Sequence, residues 1–147
     1  MKNLAVAMAL AGLVGCGGTD RPPTIASFDG NDAILYVDLA KTAQEQAKGL
    51  MGVEMLPADE GMAFVFDGPT DSSFWMKDTL IPLSIAFVDE AGRVIGMRDM
   101  QPCESDPCPT YGIDEPYVLA IEANLGWFDR AGIGVGDHVE VNVNADA

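Results

Sequence analysis

Short stretches in which apolar and polar residues alternate, separated by turn residues, run along most of the chain. Residues 61–67 alternate so that Met62, Phe64 and Phe66 share one face of a strand. Residues 82–100 contain two apolar runs around the turn sequence DEAG, which predicts a β-hairpin. The dominant element of the chain is therefore predicted to be the short strand.

The remaining runs complete an all-β pattern. Residues 33–40, 117–124 and 134–143 also predict strands, with turn signals every 8–12 residues. Thr42 and Glu45 have the spacing of a capping box, so a helix of about two turns is predicted after the first of these strands. We expect seven or eight short strands with one or two short helices, arranged as a β-sandwich, a jelly-roll-like fold or a small barrel.

The first part of the chain has the layout of an export signal. Residues 1–15 combine a lysine with an apolar run that is too short to span a bilayer, which is typical of a signal peptide. The run ends in LVGC, which resembles the lipobox of bacterial lipoproteins and predicts lipidation of Cys16. Residues 16–32, rich in glycine and proline, are predicted to be a flexible tether, and residues 33–147 a single domain.

Composition and charge narrow the possible partners. The chain has 147 residues, 48% of them hydrophobic, and a formal net charge of -15. Such an acidic surface repels phosphate backbones, so no nucleic-acid partner is expected, whereas a cation or a basic protein is favoured. The membrane is expected to be a partner through the lipid on Cys16. Because glycine rather than aspartate follows Cys16, we predict the outer membrane, with the domain facing the periplasm.

Two cysteines remain once Cys16 is lipidated. Cys103 and Cys108 are five positions apart in an extracytoplasmic chain, which favours a structural disulfide. A redox pair is the alternative, although the C-x-x-C spacing is absent. With a single histidine, His138, far from both cysteines, a zinc site is not predicted, and neither a metal nor another cofactor is expected.

Two other stretches suggest a binding site. In SFWMKD, strand alternation places Phe74 and Met76 toward the core and Trp75 and Lys77 on the opposite face. Trp75 and Lys77 could form either a pair on the protein surface or part of a ligand-binding site, and the sequence is compatible with both. In YVLAIEAN, Glu122 lies opposite the apolar face, as either a surface residue or a polar group in a pocket. The candidate ligand-binding residues are Trp75, Lys77, Glu122, Asn124 and Trp127.

Several of these stretches together resemble one family. The segments AKGLMG, GMAFVF, FWMKDT, PLSIAFVDEAGRV, PC....CP.Y and IEANLGW...GI..GD.V stand in the order and spacing of the domain of unknown function 192 family, over about residues 34–143. The resemblance implies an all-β, jelly-roll-like sandwich and favours the pocket reading of Glu122, but it assigns no activity. Two positions depart from the family pattern: Lys48 replaces a common arginine, and Asp78 a common asparagine.

Three functional hypotheses follow from the sequence. The first is a non-enzymatic, envelope-anchored module that binds a small ligand or an envelope protein. The second is an enzyme acting on envelope glycan or lipid, with Glu122 as acid or base and Lys77 as electrostatic stabiliser. The third is extracytoplasmic copper binding through methionine thioethers, because soft ligands favour Cu(I). The six domain methionines are Met51, Met55, Met62, Met76, Met97 and Met100.

Overall fold

A computed structural model describes residues 22–143 of the chain. This part forms nine strands and two short helices. In chain order they are β1 (Thr24–Phe28), β2 (Ile34–Ala40), α1 (Ala43–Lys48), β3 (Glu60–Thr70), β4 (Phe74–Trp75), β5 (Leu83–Val88), β6 (Val94–Met100), β7 (Thr110–Tyr111), β8 (Tyr117–Asn124), α2 (Trp127–Ala131) and β9 (Val139–Val143). The all-β prediction is confirmed, with nine strands in the described residues where seven or eight were expected.

Seven strands form one sheet that curls into a half-barrel. Their order is β6-β5-β8-β3-β2-β1-β9, and β4 and β7 form a separate two-stranded ribbon. The two edge strands approach each other at one corner, where the amide of Val94 donates to the carbonyl of Asp137 at 2.8 Å. The amide of Val139 likewise donates to the carbonyl of Gly92 at 2.8 Å. These bonds satisfy part of both edges, which would otherwise expose unpaired backbone groups.

Apolar side chains are buried on both faces of this sheet. The first core takes residues from all seven strands and from α2, including Phe28, Ile121 and Phe128, so it fills the inside of the curl. The second core lies on the other face of β3, β5 and β8 and contains Phe64, Phe87 and Tyr117. Strand β5 contributes to both cores, which explains why all six of its residues are buried.

Local signals in the sequence account for several elements. The capping box of α1 is present: the Thr42 hydroxyl accepts from the Glu45 amide, and the Glu45 carboxylate accepts from the Thr42 amide at 2.9 Å. The hairpin β5–β6 pairs as the alternation predicts, with Leu83 opposite Met100. Strands β2 and β3 pair in parallel, a relationship that strand patterns alone do not reveal, and α1 lies in the connection between them.

One segment differs from the sequence prediction. Residues 24–28, which fall within the predicted flexible tether, form β1 and pair with both β2 and β9. Thr24, Ala26 and Phe28 alternate inward and are buried, so the ordered domain begins before residue 33. The strand is short and lies next to prolines and a glycine, which gives it the composition of a linker. The predicted signal peptide and Cys16 lie outside the described residues.

Cys103 and Cys108 lie at disulfide-bonding distance, with Cα atoms 5.5 Å apart, as the sequence predicts. The amide of Cys103 donates to the carbonyl of Met76 at 3.3 Å, which attaches this loop to the segment that follows β4.

The helices that lie within residues 22–143 are too short and too polar to cross a membrane.

Candidate functional site

Strand β8 places Glu122 at the centre of the sheet. Leu119, Ile121 and Ala123 contribute to the first core, so Glu122 projects from the opposite face. Its neighbours across the sheet are Met62 on β3 and Ile85 on β5. The residue is only 5% exposed, so the surface reading of Glu122 is wrong and the pocket reading fits.

A cavity of about 250 Å³ lies over Glu122. Aromatic and aliphatic side chains form part of its wall, and polar side chains form the rest. The aromatic lining residues are Phe64, Phe66, Phe74 and Trp75, and the hydroxyl-bearing ones are Ser72, Ser73 and Thr79. A concave space that combines aromatic walls with polar groups can serve as a small-ligand site.

Helix α1 and the turn that follows it form one wall. The Gln46 side chain donates to the carbonyl of Val65 at 2.9 Å, which fixes the helix against β3. Gly49 ends the helix with a φ of 47°, and a Cβ atom there would lie 3.3 Å from the Phe64 ring. Glycine therefore serves twice here, because it accepts the left-handed backbone and lets the turn approach the aromatic wall.

The segment between β3 and β4 forms the opposite wall. The hydroxyl of Tyr117 donates to the carbonyl of Ser72, which attaches this segment to β8. The Phe74 ring contacts the Phe64 ring edge-on, with centroids 5.0 Å apart. Phe74 thus packs against the second core, as predicted, and also lines the cavity. Trp75 alternates outward at the rim, where it is 50% exposed.

Lys77 supports the rim from outside the cavity. Its Nζ atom lies 5.5 Å from the centroid of the Trp75 ring and 3.3 Å from Oδ2 of Asp106. Asp106 belongs to the loop closed by Cys103 and Cys108, so the disulfide loop, Lys77 and Trp75 form a continuous set of contacts. Lys77 is paired and does not line the cavity, which argues against a role as a stabiliser beside Glu122.

The electrostatics of the cavity centre on the Glu122 carboxyl. Burial raises the pKa of Glu122 from 4.5 to about 8, because the charged form loses its hydration. Within residues 22–143 the carboxyl has no hydrogen-bond or ion-pair partner, and Lys48 is the other ionisable residue of the lining. The raised pKa favours the protonated form of the carboxyl at neutral pH.

The other two predicted residues lie elsewhere. The Asn124 side-chain amide donates to the carbonyls of Leu56 and Pro57, both at 3.0 Å, and so positions the loop before β3. Trp127 begins α2 and is buried in the first core, on the other side of the sheet from Glu122, with its indole N–H 3.2 Å from Asp59 Oδ1. The expectation that all five candidates share one surface is wrong. Trp75 and Glu122 line the cavity, whereas Lys77, Asn124 and Trp127 do not.

Sequence reasoning missed most of the cavity wall. Gln46, Lys48, Gly49 and Leu50 line it. The last three fall in AKGLMG, one of the segments on which the family resemblance rests, which spans the end of α1 and the turn after it. Alternation predicts that Phe64 and Phe66 share one face of a strand, and nothing in that pattern indicates a cavity. They do pack on the second core, but their outer edges also bound the cavity.

The methionines do not gather at one place. Met76 and Met100 are buried in the second core, while Met97 packs against the first. Met55 is 82% exposed, and Met51 lines the cavity. Met62 packs on the second core. Within residues 22–143 the six thioethers are therefore spread over both faces of the sheet and do not form one common set of soft ligands.

Comparisons with known proteins place the fold in a family. A model of the domain of unknown function 192 family, described as "Uncharacterized ACR", matches residues 24–141. A crystal structure of a protein of unknown function from Novosphingobium aromaticivorans DSM 12444 is similar, with a TM-score of 0.72 and 34% identity over 80% of this chain and 83% of that one. A protein from Sinorhizobium meliloti 1021, described as a candidate transcription regulator, aligns with a TM-score of 0.70 and 26% identity over 84% of this chain and 98% of the other. None of the curated proteins matches the chain significantly.

Proposed function

Because the chain belongs to the domain of unknown function 192 family, whose name assigns no chemistry, we propose a function from the cavity itself: a non-enzymatic module that binds a small ligand. The ligand enters past Trp75 and reaches the Glu122 carboxyl. The aromatic lining supplies apolar contact, and Glu122 supplies a buried polar contact.

The observation that carries this proposal is the unpaired carboxyl of Glu122 at a cavity wall. Burying an acid without a partner costs free energy, and an apolar residue at that position would avoid the cost. A buried carboxyl that costs stability and lines a concavity is typical of a functional site. The cavity also gives a ligand direct access to this carboxyl, which a residue enclosed in the core would lack.

An enzyme remains the second candidate, favoured by the raised pKa of Glu122, which suits a general acid. The geometry gives it less support than binding. Among the described lining residues Glu122 is the one carboxyl, so the paired acids of a typical glycosidase are absent from the cavity. Incubation with envelope glycan and lipid extracts, followed by mass spectrometry, distinguishes an enzyme from a binding module. Cleavage products that form with the unaltered protein but not with Glu122→Gln would indicate an enzyme.

The proposal is tested by NMR titration with small amines, alcohols and sugars. Binding in the cavity should shift the Gly49 amide and the Trp75 indole signals together, while the Trp127 indole, in the first core, stays unchanged. Trp75→Ala should weaken binding because it removes one aromatic wall. If no compound moves Gly49 and Trp75, or if the shifts occur elsewhere, the cavity is not a binding site.

We place the module at the bacterial cell envelope, anchored by lipid at Cys16 and facing the periplasm from the outer membrane. The LVGC motif supports the anchor, and the Cys103–Cys108 disulfide suits an oxidising compartment. In a bacterial host, the protein should partition into detergent and fractionate with outer membranes, whereas Cys16→Ala should not. A Cys16→Ala protein that still partitions into detergent would contradict the anchor.

Besides the small ligand, a basic envelope protein is the partner that the net charge of -15 favours. The description of the Sinorhizobium protein as a candidate regulator raises the question of nucleic acid. We propose no such partner here, because an acidic chain repels phosphates. Salt-dependent retention on a DNA column at low ionic strength would contradict this.

A further inference from the structure

The lining of the cavity also indicates the chemical class of its ligand, an inference that rests on the binding function proposed above. We infer that the ligand is a small organic ammonium ion, whose charged head lies against the Glu122 carboxylate and beside the phenylalanine rings of the cavity.

The first support is that, within residues 22–143, no positively charged group is paired with Glu122. Glu122 faces apolar Met62 on β3 and Ile85 on β5. The turn after α1 and the segment before β4 present glycine, leucine, methionine, hydroxyl and aromatic groups, and Thr79 presents a hydroxyl. Lys48 is the remaining ionisable lining residue, and it is exposed at the outer end of α1. Since Lys48 forms no ion pair with Glu122 in the described part of the chain, a cationic ligand could supply the countercharge.

The second support is the choice of a carboxyl at this position. A neutral ligand needs a buried donor and acceptor, and a glutamine provides both without a penalty for ionisation. A glutamate differs in one respect, because it can give up its proton and become an anion. For a binding site, that property has a use when a cation is present to stabilise the charge.

The third support is the aromatic lining. Phe64, Phe66 and Phe74 surround the space above Glu122, and Trp75 stands at its rim. A cation close to such ring faces gains electrostatic attraction, which is strongest when water is excluded. Lys77 over Trp75 shows the same interaction in the folded protein, outside the cavity.

Size and long-range charge limit the ligand further. A cavity of about 250 Å³ admits a small amine rather than a nucleotide or an oligosaccharide. The formal net charge of -15 raises the concentration of cations near the surface and repels anions. The ligand class is thus a primary or secondary alkylammonium with a short apolar body.

Binding such an ion is coupled to a proton. Glu122 passes from the carboxylic acid to the carboxylate, its proton leaves to solvent, and the ammonium keeps all of its own protons. Because about one molecule in ten is ionised one pH unit below the pKa, the apparent affinity at about pH 7 should be roughly tenfold weaker than the limit reached well above pH 8. Binding at neutral pH should release nearly one proton.

The experiment compares n-butylammonium with n-butanol, which has the same apolar body without the charge. The protein from the 147-residue chain is titrated by NMR between about pH 6 and 9, and by calorimetry in two buffers that differ in ionisation heat. We expect n-butylammonium to bind more tightly, with an affinity that rises with pH and a proton released. Glu122→Gln should remove the preference for the ammonium, while the matched surface change Glu90→Gln should not.

The outcomes separate the two proposals. If n-butanol binds as well as n-butylammonium, or if ammonium affinity is independent of pH, the cation inference fails and the small-ligand site stands. If neither probe shifts the Gly49 and Trp75 signals, both the inference and a site for ligands of this size fail. Should Glu122→Gln fold poorly, the pH series on the unaltered protein still decides.

Discussion

The Nζ atom of Lys77 lies 5.5 Å from the centre of the Trp75 ring, on the rim of the cavity that holds Glu122. The same Nζ is 3.3 Å from Oδ2 of Asp106 in the disulfide loop. The position of the rim tryptophan is therefore connected, through one lysine, to a loop far along the chain. Covalent closure of that loop restricts where Asp106 can lie, which in turn restricts Lys77.

We predict that the Lys77–Asp106 pair contributes little to stability. Both side chains are partly exposed, and exposed ion pairs contribute about 0.2–1 kcal/mol. A double-mutant cycle with Lys77→Ala and Asp106→Ala, followed by urea unfolding, should give a coupling energy in that range that shrinks at high salt. A larger, salt-independent coupling would show that the pair is more protected from water than the structure indicates.

Glu122 should make stability fall as pH rises. The folded protein holds this proton up to about pH 8, while the unfolded chain releases it near 4.5. Between these values the unfolded state binds fewer protons, so the free energy of unfolding decreases by up to about 1.4 kcal/mol per pH unit. The contribution is complete below about pH 4.5 and is lost as pH passes through 8.

The measurement compares the unaltered protein with Glu122→Gln by urea unfolding at several pH values. Other groups titrate equally in both proteins, so the difference between the two curves isolates this carboxyl. Glutamine has no proton to lose, and its relative stability should grow steadily across the window. Parallel curves for the two proteins, like those expected for the control Glu90→Gln, would mean that Glu122 is not desolvated.

Strand patterns predicted much of the fold because burial and alternation are local. Met62, Phe64 and Phe66 alternate so regularly that their shared face could be assigned, and all three pack on the second core. The curl of the sheet and the parallel pairing of β2 with β3 depend on contacts between distant segments. Those contacts produce no periodic pattern in the sequence of either segment. Strand β1 was missed because it is short and lies next to prolines and a glycine.

The site was predictable only in part for a similar reason. Glu122 drew attention because a carboxyl stood among apolar residues of a strand. Trp127 follows five residues later, yet the turn after β8 takes it into the first core, on the other side of the sheet. The Gly49 turn carries no charged or aromatic side chain, and its role in shaping the cavity wall depends on its approach to Phe64.

The Cys103–Cys108 bridge should contribute modestly to global stability. A closed loop this small restricts the unfolded chain little, so chain entropy gives about 2 kcal/mol. Replacing both cysteines by serine should lower the free energy of unfolding by about that amount, measured in urea. The Trp75 indole should also become more mobile, because Asp106 is then less restricted. Two free thiols in the untreated protein under non-reducing alkylation would contradict the bridge itself.

Gly61 is the position where a single methyl group should damage the site. It pairs with Ala123 beside Glu122, and a Cβ atom at Gly61 would overlap the carbonyl oxygen of Glu122. Because backbone cannot move aside as a side chain can, Gly61→Ala should cost about 1–3 kcal/mol in urea unfolding and displace β8 at Glu122. Gly68, on the same strand, has open space where its Cβ would lie, so Gly68→Ala should change stability by less than about 0.5 kcal/mol. The two glycines differ in whether a Cβ atom would meet the β8 backbone. Equal effects of the two substitutions would therefore show that β3 and β8 lie farther apart at Gly61 than the structure indicates.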